Sequence, residues 1–523
     1  MINSSRKGLA RALAGSLGVF LLVGAVYAAA GPGRIDSIDG QYRFDVAKNI
    51  VEDGSIQLTD PFLGFGVQGV NGPRIYSPYS ISGSLVSLPL VGLASIAGTP
   101  SRDRQQFFFS FTSAALGAAT AAILFLFYLA LGVQARPALL WTLAASFATI
   151  SFPAATSVFD QTQHGFFVLC ACLLAFLSAR RESMRLAVAG GVCLAVLVNY
   201  QESYALLFVP LAIAALVPTG TDAAARRRSL ERGVVFIFIG CLGLLVWASI
   251  NDYRFGSFLV SGKTQTAHPP VFDNPLVGLA GLLVSPGKSI FLYSPLTAAA
   301  LYGSWRLLRR EPYLGRAVLA TSAVHLALIS TLSFYGGDWC WGPRYFATIL
   351  PLLALGLPFI RVTSRFGRVA VGTTVAAGVI VQLLALSIDH HRFFYSRSLP
   401  TFFWYRNSDF YFTHSALFSR PGEIVESLRN GVPAEAESFR PGPYSGLLTY
   451  AVFGGWGHSE LPAPLWMRRY KVFWLPRPWP LWLRAIPPDE RPINLAAGEG
   501  LVAALAAAGA LTLRLAGIGQ ADT

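Results

Sequence analysis

Long, sparsely charged stretches recur along the whole chain, most of them near the ~20 residues that carry a helix across a ~30 Å hydrocarbon layer. They fall near residues 9–31, 106–132, 138–157, 164–179, 187–200, 203–218, 233–251, 289–308, 316–335, 345–361, 368–389 and 497–516. Basic clusters lie between them: Arg136; Arg180, Arg181 and Arg185; Arg226, Arg227, Arg228 and Arg232; Arg306, Arg309, Arg310 and Arg316; Arg361, Arg365 and Arg368. Setting every cluster on the cytoplasmic side makes inside and outside alternate without contradiction, and brings the C-terminus out cytoplasmic. The predicted fold is an all-α polytopic membrane protein of about twelve helices. Residues 80–98 are apolar but carry Gly83, Pro89, Gly92 and Gly98, with Arg102 and Arg104 after them. Parity leaves this segment out of the count, as a helix in the outer interface. The run Asn199-Tyr200-Gln201-Glu202 between two short spans is a polar knot at membrane depth, tolerable only against protein or a wet cavity.

Composition sharpens this picture. The 523 residues are 53% hydrophobic and 13% charged, with a mean hydropathy of +0.50; a soluble domain carries about 25% charged residues. The net charge of +14 belongs to cytoplasmic loops and anionic headgroups, not to nucleic acid. Arg6, Lys7 and Arg11 precede an apolar run too long for a typical signal-peptide core, so the first span is read as a retained anchor that places residue 32 outside. Four of the five cysteines, Cys170, Cys172, Cys193 and Cys241, lie in apolar segments, the fifth is Cys340, and no pair has metal-ligand context, so neither a disulfide framework nor a cysteine metal site is expected.

The chain divides into a transmembrane domain over 1–389 with a first outer loop at 32–105, an outer Trp- and Pro-rich region over 390–496, and a last span with a cytoplasmic tail over 497–523. The mixture of cations and tryptophans from Arg468 to Leu475, with Trp479 and Trp482, predicts a headgroup-level aromatic belt.

The first outer loop carries the candidate chemistry. Tyr42, Val46 and Ile50, with Phe44 and Ala47 beside them, give an apolar helical stripe that Gly54 ends as a C-cap. Asp39 then falls at the helix N-terminus just past the first span, as an N-cap or as a catalytic acid. Further along lie Tyr76-Ser77-Pro78-Tyr79, Phe159-Asp160-Gln161, Ser285-Pro286-Gly287-Lys288 and Gly336-Gly337-Asp338-Trp339-Cys340-Trp341-Gly342-Pro343-Arg344-Tyr345, all on the outer side.

In that order, these motifs resemble the GT-C glycosyltransferases over roughly residues 9–390, nearest to the protein mannosyltransferases and lipid A aminoarabinose transferases. Those loops carry an Asp-Glu pair followed by Tyr; here Gly40 stands in the Glu position, so only Asp39 carries over. The resemblance implies a sugar passed from a polyprenyl-phosphate donor, with inversion, to a protein, glycan or lipid acceptor outside the bacterial inner membrane. Asp39 would be the general base and Asp160 a second catalytic acid. Cations must hold the leaving phosphate, which points to Arg74, Lys263, Lys288 and above all Arg344. Asp36, Tyr42, Tyr76, His268, Asp338 and Trp341 complete the expected substrate contacts. No cofactor is expected to be required; a divalent metal is possible but not indicated. A lipid or sugar transporter or flippase is the alternative, although such proteins show internal repeats and broken midplane helices. Arabinofuranose is the guess for the sugar.

Overall fold

The computed structural model describes residues 6–58, 66–70, 72–96, 101–218, 220–266, 272–337, 340–390, 393, 409–431 and 475–518. Among the described residues it is mainly helical, with one short two-stranded pairing. Among the described residues, seven helices are long and apolar enough to cross a membrane: Lys7–Ala30, Arg102–Ala130, Gln161–Arg180, Ala223–Phe255, Pro312–Ser330, Arg365–Ser387 and Leu495–Leu515. Five shorter apolar helices of 10–17 residues accompany them.

In chain order the elements are α1 (Arg6–Ala30), α2 (Ile38–Asp53), the short strands β1 (Val67–Gln68) and β2 (Ile75–Tyr76), α3 (Ser82–Ile96), α4 (Arg102–Phe109), α5 (Thr112–Ala130), α6 (Ala135–Phe147), α7 (Ser151–Ala155), α8 (Gln161–Arg180) and α9 (Met184–Val198). Then come α10 (Phe208–Ala212), α11 (Ala223–Phe255), α12 (Gly262–Thr266), α13 (Pro275–Val284), α14 (Ile290–Tyr293), α15 (Leu296–Arg310), α16 (Pro312–Ser330), α17 (Leu350–Ala354) and α18 (Arg365–Ser387). The strands pair antiparallel, Val67 opposite Tyr76. Helices over Ala416–Asn430 and Leu495–Leu515 follow.

Several predicted spans are broken. The stretch expected at 138–157 is α6 followed by α7, joined at Thr149, whose hydroxyl donates to the Ala145 carbonyl and accepts from the Ser151 amide. The stretch at 345–361 is a 3₁₀ turn over Arg344–Thr348, then α17, then a 3₁₀ turn over Leu357–Phe359, interrupted by Pro351 and Pro358. The stretch at 203–218 runs as 3₁₀, α and 3₁₀ with Leu207, Phe208 and Leu211 fully buried. A 3₁₀ turn rises about 2.0 Å per residue, so a short segment reaches further than an α-helix of equal length. Conversely, the 33 residues of α11 extend about 50 Å, more than a bilayer needs. It carries Arg226, Arg227 and Arg228 at one end and Arg254 at the other.

Close helix packing uses small residues, as apolar surroundings reward backbone approach. A Cβ on Gly243 of α11 would lie 2.4 Å from the Ala195 Cα of α9. The polar knot sits at this contact: Asn199 Nδ2 donates to the Ala195 and Gly243 carbonyls, and the Tyr200 hydroxyl to Gln163. It is held against protein. The 80–98 segment forms α3, which packs on α2 and α4 of the outer loop. Trp479 and Trp482 differ from the expected aromatic belt. Both are buried, and their indole N–H groups donate to the Ala28 and Pro32 carbonyls at the exit of α1.

Candidate active site

The sequence around Asp39 fixes its position before any long-range contact forms. Ser37, extended at φ −154°, caps α2 by accepting from the Gly40 amide, so Asp39 is released from that role. Gly54, left-handed at φ 65°, ends the helix as expected. The stripe Tyr42 and Val46 buries against Leu58, Ile75 and Tyr79. Phe44 and Ala47 bury on the adjoining face against Val91, Phe109 and Val158. Gly40 is required by this second contact: a Cβ there would sit 2.3 Å from Val158 Cγ2. The helix therefore presses directly on the segment that leads into Asp160.

Asp39 is half-buried and has two partners among the described residues. The Tyr79 hydroxyl donates to Oδ1 at 2.5 Å. Arg344 Nη2 lies 3.8 Å from Oδ2. Burial, then the charge of Asp39, pushes the Tyr79 phenol well above its ordinary pKa, so it remains a donor. Its ring is flanked by cations, with the Arg43 guanidinium 4.8 Å and Lys263 Nζ 5.7 Å from the centroid. Arg43 reaches past it to Asp160 Oδ2 at 2.6 Å, a buried ion pair. Burial alone would raise the Asp160 carboxyl; Arg43 first, then His164, outweigh it and hold the group well below the carboxylate range. His164 Nε2 is 3.3 Å from Asp160, and its Nδ1 meets the Tyr204 hydroxyl at 2.7 Å.

Arg344 is almost buried. Its guanidinium stacks 3.7 Å over the Phe159 ring. Gly337, at φ +81°, lets the preceding loop pass over it, where a Cβ would lie 2.4 Å from Arg344 Cγ. Asp39, Asp160, Lys263 and Arg344, singled out in the sequence, thus converge around Tyr79. Sequence reasoning did not assign roles to Arg43 or Tyr79. Each stood inside a motif already noticed, but its partner lies far along the chain.

The other expected contacts fall elsewhere. Asp36 does not face the Asp39 cluster: it is buried, accepting from Ser157 and the Val158 amide and pairing with Arg477 at 3.2 Å. Lys288 is likewise buried, its ammonium bonded to the Cys340 and Gly342 carbonyls, and so it ties two motifs together instead of facing a phosphate. Arg74 is exposed beyond the hairpin, and Tyr76 is packed against Tyr253 and Phe255. Tyr42 is buried, its ring 6.3 Å from that of Tyr79. Trp341 lines a neighbouring cleft. His268 and Asp338 lie outside the described residues. Among the described residues no group of three or more His, Cys, Asp or Glu is placed to hold a metal ion.

Two cavities adjoin the cluster. One of about 580 Å³ lies inside the bundle, walled by Leu124, Leu296, Ala347, Leu350 and Leu357 with a few hydroxyls. The other, about 450 Å³ including space open to solvent, lies beside the α6–α7 break and is lined by Phe159, Gln161, Trp341, Arg344 and Arg477. The short run Arg344–Leu350 borders both.

No family model matches the chain, and no curated protein does. Among solved structures, it is similar to ArnT from Cupriavidus metallidurans bound to undecaprenyl phosphate, at 15% identity and a TM-score of 0.47, over 82% of this chain and 80% of that one. It is also similar to an oligosaccharyltransferase from Archaeoglobus fulgidus, at 12% identity and a TM-score of 0.42, over 70% of this chain and 52% of that one. At these scores the likeness carries no inference about activity or about individual residues.

Proposed function

We propose that the chain is a multi-pass membrane glycosyltransferase. It takes a sugar from a polyprenyl-phosphate donor and passes it, with inversion, to an acceptor on the outer face of the bacterial inner membrane. The observation that carries this reading is the carboxylate of Asp39, fixed by Tyr79 just beyond the first span and facing Arg344. An acidic group beside stacked and ion-paired cations is what a transfer from a phosphate ester needs.

The chemistry follows from the atoms present. Tyr79 occupies Oδ1 of Asp39, leaving Oδ2 to take a proton from an acceptor hydroxyl or amine. The acceptor heteroatom forms a bond to the anomeric carbon from one face. The bond from that carbon to the phosphate oxygen breaks on the other, and the electron pair leaves with the phosphate. No general acid is required, because a phosphate is already a weak base; charge stabilisation is. Arg344 offers the planar fork that suits phosphate oxygens, and Lys263 adds a cation on the same rim. Asp160 holds Arg43 in place and supports the site from behind. The inner cavity offers apolar walls for the first isoprenoid units of the carrier, one short turn from Arg344.

Mass spectrometry of lipid co-purified with the protein tests this. The wild-type protein is expected to bring down a polyprenyl phosphate, and Asp39→Asn the same lipid still carrying its sugar. Absence of any prenyl phosphate from both preparations would contradict the reading.

A further inference from the structure

The sequence places Trp341 among the expected substrate contacts and gives Gln161 no role, and the mechanism above uses neither. Both line the cleft of about 450 Å³, together with Phe159, Arg344 and Arg477.

Three of these lining residues are nearly buried, at 5% exposure for Gln161 and Trp341 and 2% for Arg477. Each holds a buried polar atom with no hydrogen-bond partner: Gln161 Oε1, Trp341 Nε1 and Arg477 Nε. Burying a polar group without a partner is unfavourable, so these three atoms around one cleft are available for a bound molecule to complete. Their chemistry is mixed, two donors and one acceptor. Arg477 already has a carboxylate partner, Asp36 at 3.2 Å, and the mechanism above assigns Arg344 to the donor phosphate. A lone anion would leave the Gln161 oxygen unsatisfied. A neutral ring bearing several hydroxyls, each both donor and acceptor, meets all three. The aromatic walls of Trp341 and Phe159 suit the C–H face of such a ring, because an aromatic face is electron-rich and largely apolar.

We propose that this cleft is the sugar subsite of the enzyme, holding a pyranose- or furanose-sized ring against Trp341, with Gln161 and Arg477 reading its hydroxyls. The assignment rests on the transferase reading, because Arg344 is the wall shared between the cleft and Asp39. The ring belongs either to the donor or to a glycan acceptor, and experiment separates these.

Trp341→Phe removes the indole N–H and keeps a smaller aromatic face; Gln161→Met, which removes the amide and keeps the chain length, is the second variant. Binding to purified full-length protein is measured with undecaprenyl phosphate, undecaprenyl-phosphate mannose and undecaprenyl-phosphate arabinofuranose. If the cleft holds the donor sugar, one sugar-bearing lipid binds the wild type at least tenfold more tightly than the bare phosphate, and each variant loses most of that difference while keeping affinity for undecaprenyl phosphate. If it holds an acceptor sugar, the donor affinities stay equal to wild type and the acceptor KM rises at least fivefold at unchanged kcat. Unchanged donor affinity together with unchanged acceptor KM in both variants would overturn the subsite, leaving the cleft to ordered water. Failure of wild-type protein to bind any of the three lipids would instead overturn the transferase reading, and the subsite with it.

Discussion

Asp39 became a candidate because it follows the first span, and its geometry comes from a tyrosine forty positions away. Tyr79→Phe removes a hydrogen bond to a charged group, worth about 1.5–3 kcal/mol. A fall in kcat of roughly tenfold or more is expected, with donor affinity little changed, as read by steady-state transfer kinetics. Asp160 plays a different part. Its loss leaves Arg43 buried without its counter-charge, so Asp160→Asn should destabilise the protein by about 3–5 kcal/mol, measured as chemical denaturation in detergent. The pH dependence has a definite sign. A carboxyl whose folded pKa lies below its unfolded value of about 3.9 stabilises the fold at every higher pH and loses that contribution as pH falls below it. Wild type and Asp160→Asn should therefore differ in Tm by a constant amount between pH 5 and 8. They should converge only in strong acid; convergence near pH 6 would exclude this ion pair as the cause. Residue identities of this kind were half legible. Asp39, Asp160 and Arg344 stood out because charge at a span end is rare, whereas Arg43 and Tyr79 looked like ordinary members of an amphipathic loop.

At the scale of elements, α2 shows what periodicity does and does not carry. The stripe and the Gly54 cap were readable, since both are local. The need for Gly40 was not, because its reason is Val158, which arrives from another part of the chain. This also accounts for the departure from the Asp-Glu pair of the families it resembles: a side chain at position 40 has no room. Gly40→Ala is expected to lower activity at least tenfold by tilting α2 away from the Val158 segment, with a reduced Tm; thermal unfolding and transfer rates check both. A second glycine acts similarly. A Cβ on Gly262 would fall 2.5 Å from the Pro78 Cα, so α12 presses on the segment that presents Tyr79. The broken spans escaped a hydropathy reading for a physical reason. Hydropathy reports where apolar side chains lie, and the breaks are made by prolines and hydroxyl-to-backbone bonds within equally apolar sequence.

For the whole molecule, the alternation of charge gives one consistent picture. Asp39, Phe159, Lys263 and Arg344 meet at one end of the bundle. Arg180 with Glu311 and Arg228 with Glu182 pair elsewhere, in connections between spans that the charge rule places in the cytoplasm. In spheroplasts, a cysteine at Asp53 should react with a membrane-impermeant thiol reagent, and a cysteine at Arg227 only after permeabilisation. Long-range ion pairs tie the chain together: Arg34 with Asp389 at 2.6 Å, and Asp36 with Arg477. These join the first loop to segments more than 350 residues later, which no local pattern announces. The central claim is that the Asp39 carboxylate takes the acceptor proton during sugar transfer from a prenyl phosphate. The most direct test is transfer from a matched undecaprenyl-phosphate sugar in proteoliposomes by wild type and Asp39→Asn. The substitution should cut turnover by at least a hundredfold with donor binding intact, a loss typical of a general base; wild-type turnover in the variant would contradict the account.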